Sequence, residues 1–203
     1  MNKAVIFDWS GTISDNFHLF CKVVDKMHVY FGKELISPIE IRNTFTIPYM
    51  KFWNHHFPKL SKSEQDVLYK KFILEVGSPE VFLGVKDTLL YLKKKGFLLF
   101  VVSADNPSTL FPEMTKFGLD GVFSEVCCSI HEKEGPIKML VEKHFLDKEN
   151  SYYIGDTSGD VEAGKIAGIK TIGVSWGFQS KKNLAKAKPD YLIDDLNELK
   201  NIL

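Results

Sequence analysis

Four stretches of this sequence place carboxylates, hydroxyls or a lysine directly after a short apolar run. Asp8-Trp9-Ser10-Gly11-Thr12 follows Ala4 to Phe7, and Ser103-Ala104-Asp105-Asn106 follows Leu98 to Val102. Ser129 to Gly135, containing Lys133, follows Val122 to Cys128, and Gly155-Asp156-Thr157-Ser158-Gly159-Asp160 follows Tyr152 to Ile154. A carboxylate that leaves a strand into a glycine turn sits beside backbone N–H groups able to approach an anion. Asp8 is therefore the candidate nucleophile, with Gly11 and Thr12 as candidate phosphate contacts. Ser103 offers a hydroxyl and Ala104 an amide in a loop expected to start a helix near Pro107, which suits a phosphate oxygen. Lys133 precedes a helix expected to open at Pro136 and can neutralise phosphoryl charge. Asp156 and Asp160 can face one way if a helix begins between them, and hard oxygen ligands so placed suit Mg²⁺.

These groups need strands to deliver them. The apolar runs, joined by Thr171 to Val174 and Tyr191 to Ile193, alternate with helical patterns such as Val85, Leu89 and Leu92, followed by Lys93 to Lys95 and a stop at Gly96. That alternation predicts an α/β protein with a parallel sheet and crossover helices, in which reactive groups collect at the carboxyl ends of strands. One segment breaks the rhythm. Phe17, Phe20, Val24, Met27 and Phe31 recur at steps of three and four, which predicts a helix ending near Gly32, and a second helix is expected over Ser63 to Val76. Pro38, Pro48 and Pro58 punctuate shorter helical pieces, and Gly77-Ser78-Pro79 marks a return. The expected division is a core of residues 1–14 and 80–203 with an all-helical insertion over 15–79. Trp9, alternating away from Asp8, is expected to face that insertion.

The 203 residues are 44% hydrophobic, which suits a globular chain with a sizeable core. With 26 basic and 26 acidic residues the chain has no global attraction for nucleic acid. Gly96 to Ala104, the longest charge-free apolar stretch, is too short to cross a bilayer, and the run before Asp8 is too short for a signal peptide. No membrane partner and a cytoplasmic location are expected. Cys21, Cys127 and Cys128 have neither zinc spacing nor a disulfide framework. The expected assembly is a monomer or homodimer.

Taken in order, Asp8 to Thr12, Ser103, Lys133 and Gly155 to Asp160 resemble the four motifs of the haloacid dehalogenase superfamily. Ala163 to Phe178 is similar to the phosphoglycolate phosphatase branch. The resemblance covers nearly the whole chain. It implies a Rossmann-like core with a small helical cap, and phosphatase chemistry on a small phosphorylated metabolite through an aspartyl-phosphate at Asp8. It also implies Mg²⁺ held by Asp8, the Ser10 carbonyl and Asp156, with Asp160 as a direct or water-mediated ligand. Lys133 would screen charge.

The pattern departs at Ser10. Phosphatases of the family carry there a second aspartate, which protonates the leaving group and then activates water. Losing such a group costs roughly 10²- to 10⁴-fold, so turnover is expected to be slow. Phosphonoacetaldehyde hydrolases have a similar D-W-A-G-T string and form a Schiff base through a cap lysine, a role for which Lys51 is the candidate here. The other alternative is a non-catalytic phosphometabolite binder. Simpler roles also stand beside these: the aspartates as turn and N-cap residues, Ser103 as a helix cap, and Lys138 in place of Lys133. Arg42, the sole arginine among the 26 basic residues, is a candidate contact to a substrate carboxylate or phosphate. His55 and His56 receive no role.

Overall fold

The computed structural model describes residues 1–203. The chain opens with β1 (Asn2–Phe7) and a two-residue strand β2 (Ser14–Asp15), then runs through α1 (Phe17–Tyr30), α2 (Pro38–Thr44), α3 (Tyr49–His56) and α4 (Lys62–Ile73). It returns through β3 (Glu80–Val81) and continues α5 (Val85–Lys94), β4 (Leu98–Val102), α6 (Pro107–Lys116) and β5 (Glu125–Cys127). Then follow α7 (Glu134–Lys143), β6 (Leu146–Gly155), α8 (Ser158–Ala167), β7 (Lys170–Val174), α9 (Lys181–Lys186), β8 (Tyr191–Ile193) and α10 (Leu199–Ile202), the last preceded by a 3₁₀ turn at Leu196–Glu198.

Six strands form one sheet in the order β5-β4-β1-β6-β7-β8, with every neighbouring pair parallel. The α/β reading of the sequence holds. Side chains alternate along β1, so Val5 and Phe7 join Leu89 and Leu92 of α5 and Leu110 and Met114 of α6 on one face. Ala4 and Ile6 join Ile137 and Leu140 of α7 and Ala163 of α8 on the other. The chain builds outward from β1 through β4 to β5, then crosses back to β6 on the opposite side of β1. That reversal opens a crevice at the carboxyl ends of β4, β1 and β6.

The four helices α1 to α4 bury their own apolar cluster, including Phe20, Val24 and Met27 of α1, Ile41 of α2, Trp53 of α3 and Phe72 of α4. Ser37 and Ser61 cap α2 and α4 by accepting from the Glu40 and Glu64 N–H groups. The antiparallel pair β2–β3 ties together the points where the chain leaves for these helices and returns.

Several local expectations shift. Val122 and Phe123 lie outside the strand, in the turn around Gly121 at φ +69°, and are apolar because they pack on the core from a loop. Helix α7 begins at Glu134 rather than Pro136, because the Lys133 carbonyl already accepts from the Ile137 N–H. Pro136 then sits in the first turn, where its missing donor costs nothing. Trp9 does not face the helical insertion. It continues the Val5 and Phe7 face, fully buried and stacked on Phe117 at 5.8 Å between centroids, with its indole N–H donating to Glu113 Oε2 at 2.8 Å.

Candidate active site

Asp8 directly follows β1, which lies between β4 and β6, and the loops after those strands close around it. Lys133, the residue before α7, pairs through Nζ with Asp8 Oδ1 at 2.8 Å and donates to Asp160 Oδ1 at 2.7 Å. Lys138, the competing lysine, is exposed. The Trp9 N–H also donates to Asp8 Oδ1, at 2.8 Å, so that oxygen is pinned while Oδ2 has no partner within the chain.

Asp160 is the most heavily used carboxylate. Its Oδ1 accepts from Lys133 and from the Tyr153 hydroxyl at 3.2 Å, and its Oδ2 accepts from the Thr157 N–H at 3.0 Å and hydroxyl at 2.6 Å. Thr157 accepts in return from the Asp160 N–H, completing a capping box at the start of α8. Asp160 is thus both the helix-capping residue that its type suggests and the anchor of Lys133. With hydrogen bonds to both oxygens it positions the lysine, and it stays in one cluster with Asp8 and Asp156.

Asp156 comes from the end of β6 and accepts the Phe178 N–H on Oδ2 at 2.5 Å, leaving Oδ1 unbonded within the chain. Two glycines make room for it. A Cβ on Gly11, whose φ is +73°, would lie 2.3 Å from Asp156 Oδ2, and one on Gly177 would lie 2.2 Å from the same atom. Gly11 therefore serves closeness to Asp156. It does not serve anion binding, because its N–H donates to the Ser14 carbonyl and Asn16 Oδ1. The Thr12 N–H is likewise used by the Trp9 carbonyl, although the buried Thr12 hydroxyl has no partner.

One cation faces three buried carboxylates. Ligand atoms of Asp8, Asp156 and Asp160 lie within 4.8 Å of one another. Burial, then the charges of Asp160 and Asp105, push the Asp8 carboxyl up to about 7 despite Lys133. Burial and the neighbouring Asp160 and Asp8 raise Asp156 well above the carboxylate range. Burial works against the Lys133 ammonium, but Asp160 and Asp8 outweigh it and raise its pKa well above the usual lysine value. The cluster therefore lacks positive charge. The free oxygens of Asp8 and Asp156, with a Ser10 carbonyl that accepts no hydrogen bond, are a hard-oxygen donor set suited to a divalent cation.

The β1–β4 register pairs Phe7 with Val101, which brings the Ser103 loop beside Asp8 to Ser10. The Ser103 hydroxyl donates to Asp105 Oδ2 at 2.8 Å and accepts from the Asp105 N–H. Ser103 does not cap α6. Asn106 does, accepting from the Ser108 N–H. The Ala104 N–H donates to no group in the chain. The Ser10 hydroxyl donates to the same Asp105 oxygen at 2.7 Å and accepts from Asn16 Nδ2 at 2.8 Å. Sequence reasoning quoted Asp105 without giving it a role and passed over Asn16 and Tyr153. The strand register was the signal for Asp105, whereas Asn16 left none.

Arg42 forms no ion pair with the carboxylates. Its Nη2 donates to the Trp176 carbonyl at 2.8 Å and its guanidinium sits 4.2 Å from the Phe17 ring centroid, so it clasps the insertion to the loop after β7. Lys51 is exposed on α3 and makes no ion pair or hydrogen bond through its side chain.

Against known proteins, the phosphoglycolate phosphatase of Vibrio cholerae is 26% identical over 99% of this chain and 96% of its own length. Pyrophosphatase PpaX of Bacillus cereus is 28% identical over 99% and 96%. The structure of a haloacid dehalogenase-like family hydrolase from Streptococcus pneumoniae aligns with a TM-score of 0.82 at 22% identity, covering 99% of this chain and 98% of that one, a likeness of fold. The family model described as haloacid dehalogenase-like hydrolase matches residues 5–174, a span that takes in all four loops around Asp8. The chain belongs to the haloacid dehalogenase-like hydrolases.

Proposed function

We propose that the protein is a Mg²⁺-dependent phosphatase acting on a small phosphorylated metabolite, with Asp8 as the nucleophile. The observation that carries this reading is the asymmetry of Asp8: one oxygen held by Lys133 and the Trp9 N–H, the other free beside Asp156 in a cluster short of positive charge. The family membership and the phosphatase names of the relatives support it.

Asp8, Asp156 and the Ser10 carbonyl would hold the ion, whose charge lets a carboxylate approach a phosphate dianion. Lys133, fixed by Asp160, which in turn accepts from the Tyr153 hydroxyl, supplies the permanent counter-charge and stays protonated. The unpaired Ala104 N–H, and the Ser103 hydroxyl once it turns from Asp105, would donate to a phosphate bound before Asp8. The segment 15–79 acts as the cap, with the aromatic side chains of Phe17, Phe20 and Phe45 meeting Phe178 of the core at 5.1–5.5 Å between centroids. Such a lid excludes water from the site. Three cysteines outside any disulfide suit a reducing compartment such as the cytoplasm.

The test is phosphate release from a panel of phosphorylated metabolites and pyrophosphate, with Mg²⁺ and with chelator. Turnover in Mg²⁺ should fall at least ~10³-fold in Asp8→Asn, because a covalent route has no substitute for its nucleophile. Binding of esters without turnover in the wild type would instead make the protein a phosphometabolite binder.

A further inference from the structure

Breaking a phosphate ester expels an alkoxide unless a proton reaches the departing oxygen, and water attacks an acyl phosphate faster when a base takes its proton. Among the groups around Asp8, Lys133 is held protonated between two carboxylates and Asp160 has both oxygens engaged. Ser10 has only a hydroxyl, a poor proton carrier near neutral pH. Glu113 accepts from the Trp9 indole and the Ser14 hydroxyl on Oε2 and has no hydrogen bond to Ser10 or to the Ser103 loop.

The carboxylate that meets this loop is Asp105. Asn16 donates to the Ser10 oxygen, which directs the Ser10 hydroxyl proton to Asp105 Oδ2 at 2.7 Å. The Ser103 hydroxyl donates to the same oxygen at 2.8 Å, and the Asp105 carbonyl is fixed by the Ser129 N–H at 2.8 Å. Asp105 Oδ1 has no partner within the chain, and the side chain is half-buried. A side chain at position 10 that was one carboxylate long would end in the space that Asp105 Oδ2 fills. The serine shortens one side of the site and Asp105 reaches in from the other.

We propose that Asp105 is the general acid and base of this enzyme, delivered by the loop after β4 instead of by the strand that carries the nucleophile. The assignment rests on the phosphatase reading above. In the first half-reaction Asp8 Oδ2 bonds to phosphorus, the ester P–O bond breaks, and the Asp105 carboxyl proton passes to the departing oxygen, releasing the alcohol. In the second a water oxygen bonds to phosphorus, the P–O bond to Asp8 breaks, and a water proton returns to Asp105. One water is consumed, phosphate leaves and both aspartates are restored.

The test compares wild type, Asp105→Asn and the double variant Ser10→Asp/Asp105→Ala, in which alanine vacates the space a carboxylate at position 10 needs, on phosphoglycolate and para-nitrophenyl phosphate with Mg²⁺. Asparagine keeps the acceptor for Ser10 and Ser103, so thermal melts should be nearly unchanged. Steady-state phosphate release from phosphoglycolate should fall ~10²- to 10⁴-fold in Asp105→Asn, the usual cost of a lost acid–base group. Its first turnover of para-nitrophenyl phosphate, whose leaving group needs no proton, should remain within ~10-fold of wild type and leave phosphoenzyme accumulated. The double variant should regain turnover. Asp105→Asn that releases phosphate as fast as wild type, or that slows the first turnover of both esters equally with no phosphoenzyme, overturns the assignment while the phosphatase reading stands. A wild type inert toward both esters overturns the two together.

Discussion

Lys133 is the only cation touching Asp8 and Asp160, and it is nearly as buried as they are. Removing one partner of such a pair leaves uncompensated charge in a low-dielectric site, a loss of about 3–5 kcal/mol. Lys133→Met should show that loss in urea unfolding at pH 8. The loss should shrink at pH 5, where the raised Asp8 carboxyl takes up a proton and its share of the unpaired charge disappears. Gly177→Ala acts on the other side of the cluster, because its new Cβ would fall 2.2 Å from Asp156 Oδ2 and displace a carboxylate that the Phe178 N–H now holds. Thermal melts of this variant should lose most of the stabilisation that Mg²⁺ gives the wild type. At this scale the sequence was legible wherever a residue type implied its chemistry: Asp8, Lys133, Asp156 and Asp160 do converge. It was opaque where function depends on which atoms are already engaged. Gly11 was read as a phosphate contact, yet its N–H is taken up within the chain, an allocation that could not be seen before the chain was folded.

Among elements, the segment from Trp176 to Asn183 couples the helical insertion to the core. Gln179 and Asn183 donate from their side chains to the Phe45 and Asn43 carbonyls at the end of α2, and the Ser180 N–H donates to the Arg42 carbonyl. Phe178 places its ring in the insertion's aromatic cluster while its N–H holds Asp156. One residue thereby joins the helical insertion to a carboxylate of the site. Arg42→Ala removes the Trp176 hydrogen bond and the stacking on Phe17, together worth about 1–2 kcal/mol. Hydrogen exchange by mass spectrometry should then show faster exchange at Phe178 and Ser180 with little change in β1, β4 and β6. Periodicity disclosed most of these elements, since a stripe such as Phe17, Phe20, Val24 and Met27 is dictated by burial. It could not disclose the ten-residue β6, whose exposed Lys148 to Asn150 reads as a turn and is carried on an irregularity in pairing with β1. Nor could it assign the lone arginine, because a seam and a substrate pocket ask for the same guanidinium.

Over the whole molecule, a balanced surface charge conceals a local imbalance at the carboxyl ends of β1 and β6. Asp8 has a folded-state pKa of about 7 against an ordinary 3.8, so between those values the folded chain keeps a proton that the unfolded chain has lost. The contribution of Asp8 to stability without metal therefore falls as pH rises through that window. Binding of a cation reverses this by favouring the ionised carboxylates. The rise in melting temperature on adding Mg²⁺ should grow steadily from pH 5 to pH 8, and a pH-independent rise would place the ion elsewhere. The most direct measurement of the central claim is mass spectrometry of the Asp8-containing peptide after acid quench of the first turnover with an ester and Mg²⁺. The expected result is one phosphoryl group on Asp8 in the wild type and in Asp105→Asn, and none in Asp8→Asn, which should be inactive. Sustained phosphate release with Asp8 unmodified, or with Asp8→Asn still active, would contradict it.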